Sequence, residues 1–191
     1  MVPFPAVEYI AKAIAQIDWQ YVTLSRLRYR HRYRPVRVGG FRWHERPFAY
    51  EIYHQLRCIW DRRKLDAYCV IHAEVLKRYQ EIRHIRKMPD ILLHGPDSED
   101  NFAIVEIKLA SNKNKSLKKD LDKLVLFQRV LRYETLVEVL IGTNAELSSW
   151  NRRFDAQSFQ TGRVIDIIFL SLESHRTAIR QIGHAGPNRR R

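Results

Sequence analysis

Apolar residues recur at helical spacing near the start of the chain. Val7, Ile10, Ala11, Ile14, Ile17 and Tyr21 form one stripe with no internal proline or glycine, which predicts a helix over residues 5–30. A second stripe of Phe48, Ile52, Leu56, Ile59 and Trp60 predicts a helix over 47–63, with Pro47 well placed at its first position. The pattern then changes. Residues 68–76, YCVIHAEVL, are rich in β-formers, and the apolar runs 91–93 and 102–109 flank a segment of small polar residues, glycine and proline, predicting a strand followed by a hairpin. Ser116 is a candidate N-cap for a helix to about Arg132 on the stripe Leu117, Leu121, Leu124 and Leu131, where Gln128 takes a position expected to be leucine. A strand over 136–141 ended by Gly142, a helix over 146–159, a strand over 164–172 and a last helix over 174–182 complete the reading. This alternation predicts an α/β fold in which one central mixed sheet is flanked by helices.

The hairpin carries the chemistry. With its turn symmetric about Ser98, Asp90 stands opposite Glu106, β-carbons roughly 5 Å apart. Side-chain parity then puts Asp90, Leu92, Ile104, Glu106 and Lys108 on one face and Ile91, Leu93, Val105, Ile107 and Leu109 on the other. Two opposed carboxylates on apolar strands repel each other and are costly to desolvate unless a cation sits between them, and a hard divalent ion such as Mg²⁺ fits that need. The alternative, Glu106 and Lys108 as a solvated ion pair on an exposed face, suits the sequence poorly. Ala103, Ile104, Val105 and Ile107 are apolar on both parities, as in strands covered on both sides.

Pro89-Asp90, fifteen intervening residues and Glu106-Ile107-Lys108 resemble the signature of the PD-(D/E)xK nucleases, a superfamily that includes restriction enzymes, Holliday-junction resolvases and recombination exonucleases. The resemblance spans about residues 47–172 as an order of elements and only the motif residues as identities. It implies a restriction-endonuclease-like αβββαβ core with an N-terminal helical extension. It also implies a metal-dependent nuclease, an Mg²⁺- or Mn²⁺-using phosphodiesterase of endo- or exonuclease type, with Asp90, Glu106 and Lys108 catalytic. Asp90, Glu106 and the Ile107 carbonyl would be metal ligands. Family members place a metal-associated glutamate in the helix that corresponds to 47–63, which makes Glu51 a candidate ligand; a surface glutamate beside Gln55 is the competing reading. A glutamine recurs in the helix after the motif, which makes Gln128 a substrate-contact or supporting residue, against a satisfied glutamine at the core edge. The rival function is a nucleic-acid-binding protein that keeps this fold without catalysis.

Charge adds a partner. With 34 Lys+Arg against 21 Asp+Glu in 191 residues, the net charge is +13, which suits a polyanion. Between residues 25 and 46 lie eight arginines and one glutamate, interleaved with Tyr29, Tyr33, Phe41 and Trp43, a composition suited to phosphate contact and base stacking. Arg28, Arg30, Arg32 and Arg34 are the expected nucleic-acid contacts there, joined by Arg86, Lys87 and Lys113; a solvated tract or a subunit contact is the alternative. DNA is the expected nucleic acid, and a homodimer is an open option. The implied divisions are a helix and basic arm over 1–45, the nuclease-like domain over 46–182 and a mobile basic tail over 183–191. Two cysteines without CxxC spacing, no signal-peptide pattern and no membrane-length apolar run suggest a cytoplasmic protein without a membrane partner. His72-Ala73-Glu74 lacks the following PCxxC of zinc deaminases, which argues against that chemistry.

Overall fold

The computed structural model describes residues 4–30, 34–73, 89–96, 100–111, 114–156 and 163–183; side chains are described within these except at 24–42 and 114–116. Its elements are α1 (Ala6–Ala15), α2 (Trp19–Val22), β1 (Leu24–Arg30), β2 (Arg34–Arg42), α3 (Glu45–Arg63), β3 (Val70–Ala73), β4 (Ile91–His94), β5 (Asn101–Leu109), α4 (Asn114–Leu131), β6 (Thr135–Gly142), α5 (Asn144–Ala156), β7 (Ile165–Ser171) and β8 (Thr177–Ile182). From α3 to β6 the order reads αβββαβ.

Six strands form one mixed sheet in the order β3-β4-β5-β6-β7-β8. The β3–β4, β4–β5 and β7–β8 pairs are antiparallel, while β5–β6 and β6–β7 are parallel, as the helical connections α4 and α5 require. Both faces are covered. Ile10 and Ile14 of α1 and Phe48, Ile52 and Leu56 of α3 pack on one face, against Ile91, Leu93, Val105 and Val139. On the other face, Leu117, Leu121, Leu124 and Phe127 of α4 and Trp150 and Phe154 of α5 meet Leu92, Ile104, Leu140 and Ile167. Each fully buried aliphatic or aromatic side chain contributes about 1.5–3 kcal/mol. Since α1 shares a core cluster with α3 and the sheet, its packing shows no boundary at residue 45. No helix among the described residues is long and apolar enough to cross a membrane.

Two predicted helices are corrected. The helix expected over 5–30 ends at Ala15. Asp18 caps the short α2 by accepting from Gln20 N at 3.1 Å, and the chain then runs as β1, antiparallel to β2. The physical reason is the alternation of arginine with Leu27 and Tyr29, a period of two that suits a strand. The helix expected over 174–182 is instead a turn followed by β8. Ser171 Oγ accepts from Glu173 N and Ser174 N, His175 adopts a left-handed backbone at φ 56°, and Thr177–Ile182 pairs with β7. Smaller shifts occur elsewhere. α4 begins at Asn114, so Ser116 lies inside its first turn and does not cap it, and Arg132 ends the helix at φ 59°. α5 starts with a reciprocal cap in which Thr143 N donates to Glu146 Oε2 at 2.8 Å and Glu146 N donates to Thr143 Oγ1 at 3.3 Å.

Candidate active site

The β4–β5 register pairs Ile91 with Val105, Leu92 with Ile104 and Leu93 with Ala103, as a turn symmetric about Ser98 predicts, and it slips by one residue only at His94–Asn101. Carried back one position, it sets Asp90 across from Glu106. β4 begins at Ile91, so β5 continues past it with its outer edge unpaired by backbone. Asp90 Oδ2 fills the first gap, accepting from Ile107 N at 2.7 Å, and Glu45 Oε1 fills the next, accepting from Leu109 N at 3.2 Å. A residue's N–H and C=O leave a strand on the same side, so the Ile107 carbonyl also faces the edge where Asp90 lies.

Around this edge the fold assembles a charged cluster. Glu106 is 5% exposed, and Lys123 Nζ of α4 lies 2.5 Å from its Oε1. Lys108 Nζ is 3.1 Å from Asp120 Oδ2 and 3.4 Å from Glu45 Oε1. On β6, Glu138 pairs in register with Glu106, is 0% exposed, and neither of its oxygens has a hydrogen-bond partner among the described residues. Carboxylates therefore outnumber ammonium groups in a largely buried place. The proton affinities reflect this. Burial first, then the neighbouring acids, raises Glu138 well above the carboxylate range. Burial also pushes Glu106 up to about 8 against the pull of Lys123, and raises Asp90 despite its bond from Ile107. Burial lowers Lys108, but Asp120 and Glu45 outweigh that and leave it raised.

The sign for stability follows. Between the ordinary value of 4.5 and about 8, folded Glu106 keeps a proton that the unfolded chain has released, so each step upward in pH removes stability. Its contribution is fully present below 4.5 and lost as pH passes through about 8. In chelator-treated protein, the unfolding midpoint should fall between about pH 5 and about pH 9, and fall less in Glu106→Gln. Equal slopes in thermal melts of the two proteins would contradict this.

Asp90, Glu106 and Lys108 are thus brought together on one end of the sheet. Glu51 is not part of that group. It is buried on α3, accepting from Asp18 N at 3.1 Å and Gln55 Nε2 at 2.8 Å, and it ties the start of α2 to α3. Glu45, six residues earlier, is the α3 carboxylate that reaches the motif. Gln128 is half-buried with Oε1 lacking a hydrogen-bond partner among the described residues; the α4 residues paired with the motif are Asp120 and Lys123. Arg32, Arg86, Lys87 and Lys113 lie outside the described residues, as do the side chains of Arg28, Arg30 and Arg34.

Sequence reading missed Glu138, Asp120, Lys123 and Glu45. Glu138 carried a usable signal, since an acid within TLVEVLIG stands out as Glu106 does in its own strand. Among the described residues, no group of three or more His, Cys, Asp and Glu side chains is arranged to hold a metal ion. Comparison with family models, with curated proteins and with solved structures returns no match.

Proposed function

We propose that this chain is a metal-dependent nuclease of the PD-(D/E)xK type, with a restriction-endonuclease-like core, that hydrolyses phosphodiester bonds in DNA. The observation that carries the reading is the placement of Asp90 across from Glu106, with Lys108 two residues on along β5. The αβββαβ order, with three antiparallel strands and then a helical crossover to a parallel fourth, supports it.

The donor set fits a hard divalent cation. Acidic groups are in excess, and Mg²⁺ sites commonly use one or two carboxylates and complete their shell with water and substrate phosphate, so a closed protein cage is not required. Asp90, Glu106 and the Ile107 carbonyl would hold Mg²⁺ or Mn²⁺, which when bound supplies Lewis acidity and lowers the pKa of a water molecule. The residues of the chain do the rest. The Ile107 N–H fixes the Asp90 carboxylate. Asp120 and Glu45 hold the Lys108 ammonium from two sides, where it offers positive charge to a phosphorus centre gaining negative charge. Hydrolysis adds water across one P–O bond and leaves a phosphate and a hydroxyl.

A second reading has an observation in its favour. Lys123 already meets Glu106 without metal, as in a purely structural polar network, and that suits a nucleic-acid-binding protein lacking catalysis. A cleavage assay on linear, circular, branched and single-stranded DNA separates the two. We expect strand cleavage with Mg²⁺ or Mn²⁺, none in excess chelator, and binding with little turnover in Ca²⁺, whose larger and more irregular shell misplaces the nucleophile. Full activity in chelator would remove the metal, and binding without cleavage in either metal would favour the second reading.

A further inference from the structure

An aromatic cluster stands at the end of the sheet that carries Lys108, and the site described so far makes no use of it. Trp19 of α2 and Trp43, just before α3, are half-buried and meet edge to face at 6.2 Å, each also against the fully buried Phe48. His175, in the turn between β7 and β8, lies on the Trp19 indole with ring centres 3.7 Å apart and planes within 12°. His175 is exposed, so with one face on the indole its other face is open to solvent. The turn beneath it is well held. His175 N donates to Ser171 O and Ser171 N to Arg176 O, both at 3.0 Å, while Ser171 Oγ accepts from Glu173 N and Ser174 N. The left-handed φ of 56° is uncommon for a residue with a side chain, and such positions cluster at ligand contacts. Arg176 beside it is exposed and makes no ion pair among the described residues. This turn leaves the sheet at the motif end. Lys108 pairs with Leu140, Gly142 with Ser171, and Leu172 N donates to Gly142 O, so β7 ends two strands across from Lys108, about 10 Å by ordinary strand spacing.

We infer that the open face of His175, backed by Trp19, stacks an unpaired nucleobase while Arg176 takes an adjoining phosphate, so that the DNA this chain favours carries a single-stranded stretch at this end of the sheet. This deepens the proposed function and rests only on its nucleic-acid part. Bases inside a duplex are covered on both faces by their neighbours, and freeing one costs unstacking energy, so an open ring face selects nucleotides that are already unpaired. A ring already stacked on an indole, in a hydrogen-bonded turn, has little freedom left to lose on binding. Holding the turn on α2 would ask only for apolar contact, which an aliphatic side chain supplies as well.

The test is the affinity of the full chain, in chelator to prevent cleavage, for a fluorescent duplex with a short single-stranded tail, followed by anisotropy. The tail carries either normal bases or abasic sugars, so the two DNAs have the same phosphates and differ only in rings that can stack. Wild type should bind the tail with bases about tenfold more tightly, within the range of one aromatic–base stack. His175→Asn removes the ring but keeps a residue that tolerates the left-handed turn, and the preference should fall to about twofold or less. His175→Tyr, which restores a ring, should regain most of it. An equal preference in wild type and His175→Asn would assign the stack to holding the turn on α2 and overturn the inference, as would no preference in wild type; both results leave the nuclease reading standing. Failure of the folded wild type to bind either DNA would overturn the nucleic-acid reading and the inference together. Should His175→Asn not fold, a 2-aminopurine base in the tail decides with wild type alone. Its emission should be quenched on binding, and unchanged emission at saturation would overturn the stack.

Discussion

Asp90→Ala, Glu106→Ala and Lys108→Ala should each lower the single-turnover cleavage rate by at least about 10²–10³-fold, the range associated with removing one preorganised charged or polar group from a reaction centre. The structural consequences differ among the three. Asp90→Ala removes one bond to Ile107 N, and Lys108→Ala frees Asp120 and Glu45 of a partner; both sites keep some access to water, so the fold should survive. Glu106→Ala is another matter, because it removes the carboxyl group that Lys123 approaches at 2.5 Å in a buried place. Breaking a buried pair from one side typically costs about 3–5 kcal/mol. Glu106→Gln, which keeps an oxygen for Lys123, is therefore the cleaner catalytic variant. Thermal melts beside the kinetics separate lost chemistry from lost structure, and wild-type rates in any of these variants would sink the assignment.

Replacing Arg28, Arg30, Arg32 and Arg34 together should weaken DNA binding and flatten its salt dependence, while turnover at saturating substrate stays near wild type. Each duplex phosphate neutralised contributes a slope of about −0.9 in log K against log salt, so the loss amounts to up to roughly three to four units. Of these arginines, Arg28 and Arg30 lie on β1 and Arg34 on β2, whose register sets Arg30 opposite Arg34. Binding measured from low to moderate salt is the check. An unchanged slope would assign the tract to solvent or to another subunit, and would move the search for phosphate contacts to Arg83, Arg86, Lys87 and the lysines of residues 113–119.

The motif end of the sheet was legible in the sequence because its information is local. Only fifteen residues lie between Asp90 and Glu106, and the apolar runs on either side of Ser98 set which residues face each other. The supporting charges were not legible for the opposite reason. Glu45 and Glu138 reach Lys108 and Glu106 only through the packing of α3 and the crossover to β6, and no periodicity within either segment encodes that meeting. Lys123 sits among Lys118, Lys119, Asp120 and Asp122, where one charge looks like the next until the helix is docked. At the two ends of the described chain, helical readings gave way to strands. Arginine alternating with Leu27 and Tyr29 follows the first helical stripe with no glycine or proline between them, and Thr177–Ile182 draws its strand character from pairing with β7.

The early end of β4 gives Asp90 a double identity. It finishes a hydrogen-bond ladder with a side chain where a backbone carbonyl would ordinarily serve, so the amide proton of Ile107 senses directly how much negative charge that carboxylate keeps. Any cation drawing on Asp90 withdraws electron density from the same oxygens. Should the proposed metal bind there, the peptide group of Ile107 would be a built-in gauge of site occupancy, readable from one backbone amide resonance in a molecule carrying no label at the site itself.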